Sequence, residues 1–240
     1  MSKKPPRRTA ERILEVALDL CNRFGMTNVS TTQIAAEMRI SPGNLYYHYA
    51  SKDDLINTLF DRHEAAMVSV LNTSDLVRDV AGAWSFAHDL FDNIWQYRFI
   101  YRDLNHLLAN NHRVETHMQV LLARKQAALD EVLQALGRYQ IIRLTPPQTE
   151  VLTANLVLVL MYWLSYEYVR DPRQALEPGS GASAVARGTW QLMRTLSPYL
   201  LHQGRIEFEA LEQGRASSDL AVAARDEGAV SLAFEASGRD

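Results

Sequence analysis

The stretch TTQIAAEMRISPGNLYYHYASKDDL, residues 31–55, decides how this chain is read. It opens on a helix start. Ser30-Thr31-Thr32-Gln33 has the form of a capping box, with a hydroxyl for a free backbone N–H and an amide that reaches back. Ile34, Ala35 and Met38 then fall on one helix face. Arg39-Ile40-Ser41 interrupts that helix. Ser41-Pro42 starts another, because proline at the first helical position gives up only an N–H that has no partner there. Leu45 and Tyr49 form its inner face, and Ser51-Lys52-Asp53-Asp54 caps a third, long helix. Two short helices joined by a tight turn, with small Ala35 where they cross, make a helix-turn-helix pattern.

In that pattern the second helix enters the DNA major groove with its N-terminal residues leading. Here those are Pro42, Gly43 and Asn44. They are short enough for the backbone to approach base edges, and the Asn44 amide suits a base. Tyr46, Tyr47 and His48 carry polar tips suited to phosphate and sugar. Free N–H groups at the helix start favour phosphate, and Lys52 adds a cation. The same aromatics could pack an ordinary bundle, but caps, spacing and charge agree on DNA docking.

Charge supports one end meeting a polyanion. Residues 1–52 hold eight basic and four acidic side chains, a net +4, which leaves −7 on the remainder of a chain whose total is −3. The arm Lys3-Lys4-Pro5-Pro6-Arg7-Arg8 is a candidate for minor-groove or phosphate contact. At 47% hydrophobic and 22% charged residues the composition is globular. The single cysteine, Cys21, excludes an internal disulfide and lies in an apolar helical pattern, which fits a reducing compartment. MSKKPPRR runs into an amphipathic helix without an apolar core of a signal peptide, so a cytoplasmic setting is expected.

Beyond these elements the periodicity is helical and no period-two strand stands out. Helices are expected near 9–24, 52–71, 75–96, 98–108, 112–137, 148–170 and 183–202, an all-α fold of about nine helices. GSGAS, 179–183, reads as a flexible connector, and residues 213–240 as a disordered tail. The run Leu156–Leu164 is nine apolar residues between Asn155 and Ser165. A membrane span needs about 20, so a buried or interface helix is expected, with no membrane partner.

At this point residues 31–55 closely resemble the DNA-binding domain of the TetR family of bacterial transcriptional regulators. The resemblance covers about residues 9–62 and rests on Tyr46, Tyr47, His48, Tyr49 and then Lys52. It implies a basic arm at 1–8, a three-helix DNA-binding domain at 9–54, and a helical effector-binding and dimerisation domain at 55–212. By the same resemblance Thr31 and Thr32 would touch the DNA backbone, and Pro42, Gly43 and Asn44 would face bases. Tyr46 would lie at the groove, while Tyr47, His48 and Lys52 would hold phosphate. One position departs from the family, which commonly has glycine where this chain has Arg39. A left-handed backbone there costs arginine about 1 kcal/mol; Arg39 could gain a phosphate contact.

The resemblance also implies a homodimer formed by the last two helices and a small-molecule effector; no cofactor or metal is expected. Leu156, Leu160, Trp163, Trp190, Met193 and Leu196 are the interface candidates. Trp84, Phe91, Trp95, Phe99, Tyr162 and Tyr166, with Arg102, are candidates for an aromatic-lined effector cavity suited to an apolar ligand. Arg98 and Arg102 stand four apart and suit either surface ion pairs or a carboxylate. His106, His112 and His117 lack metal-ligand spacing. No GxSxG, HExxH or phosphate loop supports an enzyme. The expected function is a repressor released from a palindromic operator by a largely apolar ligand. The alternative is a helical interaction module or enzyme that keeps the helix-turn-helix as scaffold.

Overall fold

Helix α1 (Pro6–Phe24) begins at a proline, inside the stretch read as an arm, because the first turn has no use for that N–H. The computed structural model describes residues 6–214 apart from 176, so most of the arm and of the tail lies outside them. Three short elements follow as the caps dictate. In α2 (Thr31–Glu37) Ser30 and Gln33 bond reciprocally, the Ser30 N–H donating to Gln33 Oε1 at 2.7 Å. In α3 (Pro42–His48) the Ser41 hydroxyl accepts from the Asn44 N–H at 3.2 Å. Ser51 caps α4 (Lys52–Leu71) by accepting from Asp54 N–H at 3.0 Å.

Then come α5 (Val80–Gln96), α6 (Arg98–Arg102), α7 (Leu104–Asn110) and α8 (His112–Arg138). They are followed by α9 (Pro146–Arg170), α10 (Gly181–Leu196) and α11 (202–214). The described residues thus form eleven α-helices and no strand. The excess over nine has two sources. The segment expected at 98–108 divides at Asp103, and the last expected helix stops at Leu196, with α11 starting anew after a 3-10 turn at Ser197–Tyr199.

One apolar core runs through the molecule from Ile13 of α1 to Phe208 of α11. Helix α10 packs on α5 and α9, α8 packs on α9, and α4 lies against α1, α5 and α8. Close approach needs small residues at three points, two of them on α10. A Cβ on Gly188 would sit 2.8 Å from Phe91, and one on Gly181 would sit 2.5 Å from the Trp95 indole nitrogen. The segment read as a flexible connector is therefore a 3-10 turn, Pro178–Ser180, leading into a helix whose first residue is buried. Helix α9 is long and apolar enough to cross a membrane by length and composition. Its Leu152, Leu156, Leu160 and Leu164 face are instead buried against neighbouring helices.

Candidate functional site

The first four helices present one compact face. Leu45 is fully buried and Tyr49 is nearly so, with the Tyr49 hydroxyl donating to the Ala10 carbonyl at 3.3 Å. Between α2 and α3 the chain turns through Arg39 with φ 55°, the left-handed geometry anticipated for that position. Arg39→Gly is expected to raise stability by about 0.5–1 kcal/mol and Arg39→Val to lower it by about 1–2 kcal/mol, read by urea unfolding. Equal midpoints would show that the turn is not strained.

On the outer side of α3, Pro42, Gly43 and Asn44 are exposed, and beyond the Cα of Gly43 an added methyl would meet only Ser41 Oγ at 4.0 Å. Tyr47 is 80% exposed, edge-on to His48 at 5.1 Å. A large aromatic left this open on a well-packed helix has no role in the subunit core. Thr32 and Arg39 are exposed beside it. Three of the candidates carry a structural duty that the sequence did not reveal. Thr31 is 9% exposed and its hydroxyl pairs with the Tyr46 hydroxyl at 2.9 Å, tying α2 to α3. Lys52 donates to the Met26 carbonyl at 2.5 Å, so one of its N–H groups already fastens α4 to the corner after α1.

That corner is joined to the remainder of the molecule through α6. Asn22 donates to the Gln96 carbonyl at 2.8 Å and accepts from the Phe99 N–H at 3.0 Å, satisfying two helix-end groups at once. Asp103 accepts from the Met26 N–H at 2.6 Å. Arg102, expected in an effector cavity, lies here instead, donating to the Arg23 carbonyl at 3.4 Å and stacking on Tyr168. Arg98 is buried beneath the Trp95 ring, 4.7 Å from its centroid, and burial lowers its pKa. Arg98 is thus not on the surface. Cys21 is buried nearby and its thiol is pushed up to about 12 by that burial, which makes it inert.

The remaining effector candidates are not gathered into one cavity. Trp84 stacks on Trp190 at 4.6 Å, Phe91 packs under Gly188 beside Trp163, Trp95 covers Gly181, and Phe99 is fully buried. Tyr162 and Tyr166 point outward, 50% and 57% exposed. The interface candidates are also corrected. Leu156, Leu160, Trp190, Met193 and Leu196 are each under 5% exposed within the subunit, and Trp163 is half-buried, donating to the Ala184 carbonyl. The outward stripe of α9 is Val151, Asn155, Leu158, Tyr162, Tyr166 and Val169, spaced by three and four. Helix α9 is apolar all round because it has two apolar faces, and the sequence alone gave no means to say which faced inward. Beside this stripe Glu167, 1% exposed, accepts from Arg187 of α10 and Arg170, locking the two helices together.

What the aromatic reading missed is a polar cluster in the core. Lys125 of α8 is fully buried and donates to the Tyr101 hydroxyl at 2.8 Å; that hydroxyl meets His63 Nε2 of α4 at 3.1 Å. Burial lowers Lys125 to about 7, and burial together with the nearby Lys125 charge lowers His63 to about 3. His106, His112 and His117 lie apart from it, bonded to Asn110, Glu115 and Glu64. No metal-ligating group of three occurs among the described residues.

The comparisons agree with this architecture. The family described as "Bacterial transcriptional repressor" matches residues 62–208, more than half of the chain, and "Bacterial regulatory proteins, tetR family" matches residues 13–59. A crystal structure of a TetR-family transcriptional regulator from Marinobacter aquaeolei VT8 is 28% identical and superposes with a TM-score of 0.77 over 86% of this chain and 98% of that one. The ketosteroid transcriptional regulator KstR2 of Mycobacterium tuberculosis shares the fold at 17% identity, with a TM-score of 0.62 over 84% of this chain and 98% of that one. The nucleoid occlusion factor SlmA of Haemophilus ducreyi is 33% identical over 75 residues, 31% of this chain and 37% of that protein. The chain thus spans little more than a third of the length of the curated relatives it matches. Matched in both its helix-turn-helix end and its larger helical part, the chain belongs to the TetR family of bacterial transcriptional regulators.

Proposed function

We propose that the protein is a dimeric repressor that binds a palindromic operator and is released from it by a small, largely apolar ligand. The observation that carries the DNA-binding part is the open outer face of α3, where Asn44 and the 80%-exposed Tyr47 stand beside Gly43. Pro42, Gly43 and Asn44 read bases in this proposal. Thr32, Arg39, Tyr47 and His48 hold phosphates, and Lys52 does so with the N–H groups left after its bond to Met26. Thr31 and Tyr46 chiefly set the angle of α3. The arm, 9–54 and 55–212 divide the work as arm, reader and sensor.

One recognition helix makes few contacts, so two copies must read two half-sites. The proposed two-fold contact uses the outward stripe of α9 with the exposed side of α10. Leu158, Tyr162, Arg187, Gln191 and Arg194 border a groove of about 620 Å³ there. A ligand that favours one arrangement of the sensor shifts the spacing of the two readers. Helix α4, which reaches from Lys52 beside the reader to His63 in the core, is one route for that shift, and α6 with its bonds to Asn22 and Met26 is a second.

The test is selection of bound DNA from a random pool, followed by titration of the selected site. Tyr47→Ala is expected to weaken binding by about tenfold on every sequence without changing its salt dependence, because the lost contact carries no charge, while stability stays within about 0.5 kcal/mol. Asn44→Ala is expected to relax base preference at one position per half-site by about 1–3 kcal/mol. Failure to enrich any sequence, or equal affinity of both variants and the parent, would leave the helix-turn-helix as scaffold only.

A further inference from the structure

Lys125 is an expensive residue to keep where it is. It is fully buried, and its two partners are the Tyr101 hydroxyl at 2.8 Å and the Met161 sulfur at 3.4 Å. No carboxylate among the described residues offsets its charge, and burial alone sets its protonation. An ammonium has three N–H donors, so one has no acceptor and a second has only a weak one. The Tyr101 hydroxyl accepts from Lys125 and therefore donates to His63 Nε2, which leaves the proton of the neutral imidazole on Nδ1. That Nδ1 is buried without a partner in hydrogen-bond geometry, and so is Oδ1 of Asn93 on α5, although the amide is near enough to favour the protonated ring slightly. Buried polar atoms outside hydrogen-bond geometry cost stability and call for an explanation.

The surroundings are apolar. Phe60, Tyr97 and Tyr101 pack their rings around His63 at 5.4–6.0 Å. Leu121 and Leu129, both buried, lie one turn either side of Lys125 on α8. Met161, an unbranched side chain able to change rotamer, covers the ammonium from α9. Spare donors in a close-packed apolar surround suit an anionic head on an apolar body, admitted by movement of Met161. They do not fit a cation, and a neutral ligand would leave the charge uncompensated.

We infer that His63, Tyr101 and Lys125 form the polar anchor of the effector site, and that the effector is an apolar carboxylate whose head supplies the counter-charge Lys125 lacks. The inference rests on the reading of 55–212 as a ligand sensor. It also gives that sensor its lever, since the anchor is built from α4, the helix that starts beside the DNA-reading face, and α6, the helix bonded to the same corner.

The experiment titrates the full chain with straight-chain alkanoates of about six to twelve carbons and with the alcohols of matched length, by calorimetry and thermal shift. The acids are expected to bind at least about tenfold more tightly than the alcohols. Lys125→Met is expected to remove that preference while leaving alcohol binding and folding intact, and Tyr101→Phe to reduce it. Acids and alcohols of equal affinity, no binding across the series, or an unchanged preference in Lys125→Met would overturn the anchor. Operator affinity measured alongside separates the two readings. Acids that bind through Lys125 yet never alter DNA binding would sink ligand release and keep the anchor; intact DNA binding with no acid bound would sink the anchor and keep the DNA-binding reading.

Discussion

Leu158→Glu combined with Tyr162→Glu is expected to convert a dimer into a monomer and to lower operator affinity by about 100-fold or more. The two side chains are 57% and 50% exposed on the outer stripe of α9, so neither change opens a cavity in the subunit, and stability is expected to move by no more than about 0.5 kcal/mol. Across a two-fold axis the same patch meets itself, which brings four new carboxylates together and removes the apolar surface that drives association. A monomer keeps one recognition helix and loses the second half-site, whose binding is otherwise intramolecular. Sedimentation measures the mass and an anisotropy titration the affinity. A double variant that stays dimeric would move the interface off α9, and a monomer with parental affinity would remove the need for a dimer.

Lys125→Met is expected to stabilise the protein at pH 7 by about 2–3 kcal/mol, against the usual direction of a core substitution. Burial lowers the folded-state pKa of Lys125 from 10.5 to about 7. Between those values the unfolded chain holds a proton that the folded chain does not. The parent therefore gains stability as pH rises through that window, by about 1.4 kcal/mol per unit, loses it as pH falls back through it, and changes no further below about 7. Methionine has no such term, fills a similar volume, and forfeits only the bond to Tyr101, about 1 kcal/mol. His63 adds a separate window. Its folded-state pKa is about 3 against 6.5, so its contribution is present above 6.5 and is lost as pH falls toward 3. Urea unfolding of parent and variant from about pH 6.5 to 9.5 is expected to give curves that converge as pH rises. Parallel curves would mean that Lys125 is solvated or paired in solution.

The DNA-reading end was legible because its information is local. A cap and the residue three places on specify a helix start without help from distant chain, and Ser30, Ser41 and Ser51 each accept the bond their position called for. Arg39 in a left-handed turn was legible through the family resemblance, which commonly places glycine there. The larger helical part was legible as helices and opaque as a site. Tyr162 and Trp163 are adjacent in sequence and one points out while the other is half-buried; composition cannot choose between two apolar faces of α9. Arg102 moved from the expected cavity to the corner beside Arg23 because α6 is only five residues long and ends there. Lys125 offered no local signal, since a lysine between Arg124 and Gln126 on a long helix reads as solvated surface.

The sequence by itself determined the all-α class, the helix-turn-helix, its caps, and the residues on its outer face. All of these follow from caps and apolar spacing within a few residues, save for Thr31, which is buried. Only the tertiary structure decided which face of α9 is free, and that His63, Tyr101 and Lys125, drawn from three helices, meet out of water. The physical reason is that burial belongs to the packed molecule. A side chain's charge, partners and pKa depend on which neighbours exclude water from it, and those neighbours lie 24 and 38 residues away along the chain.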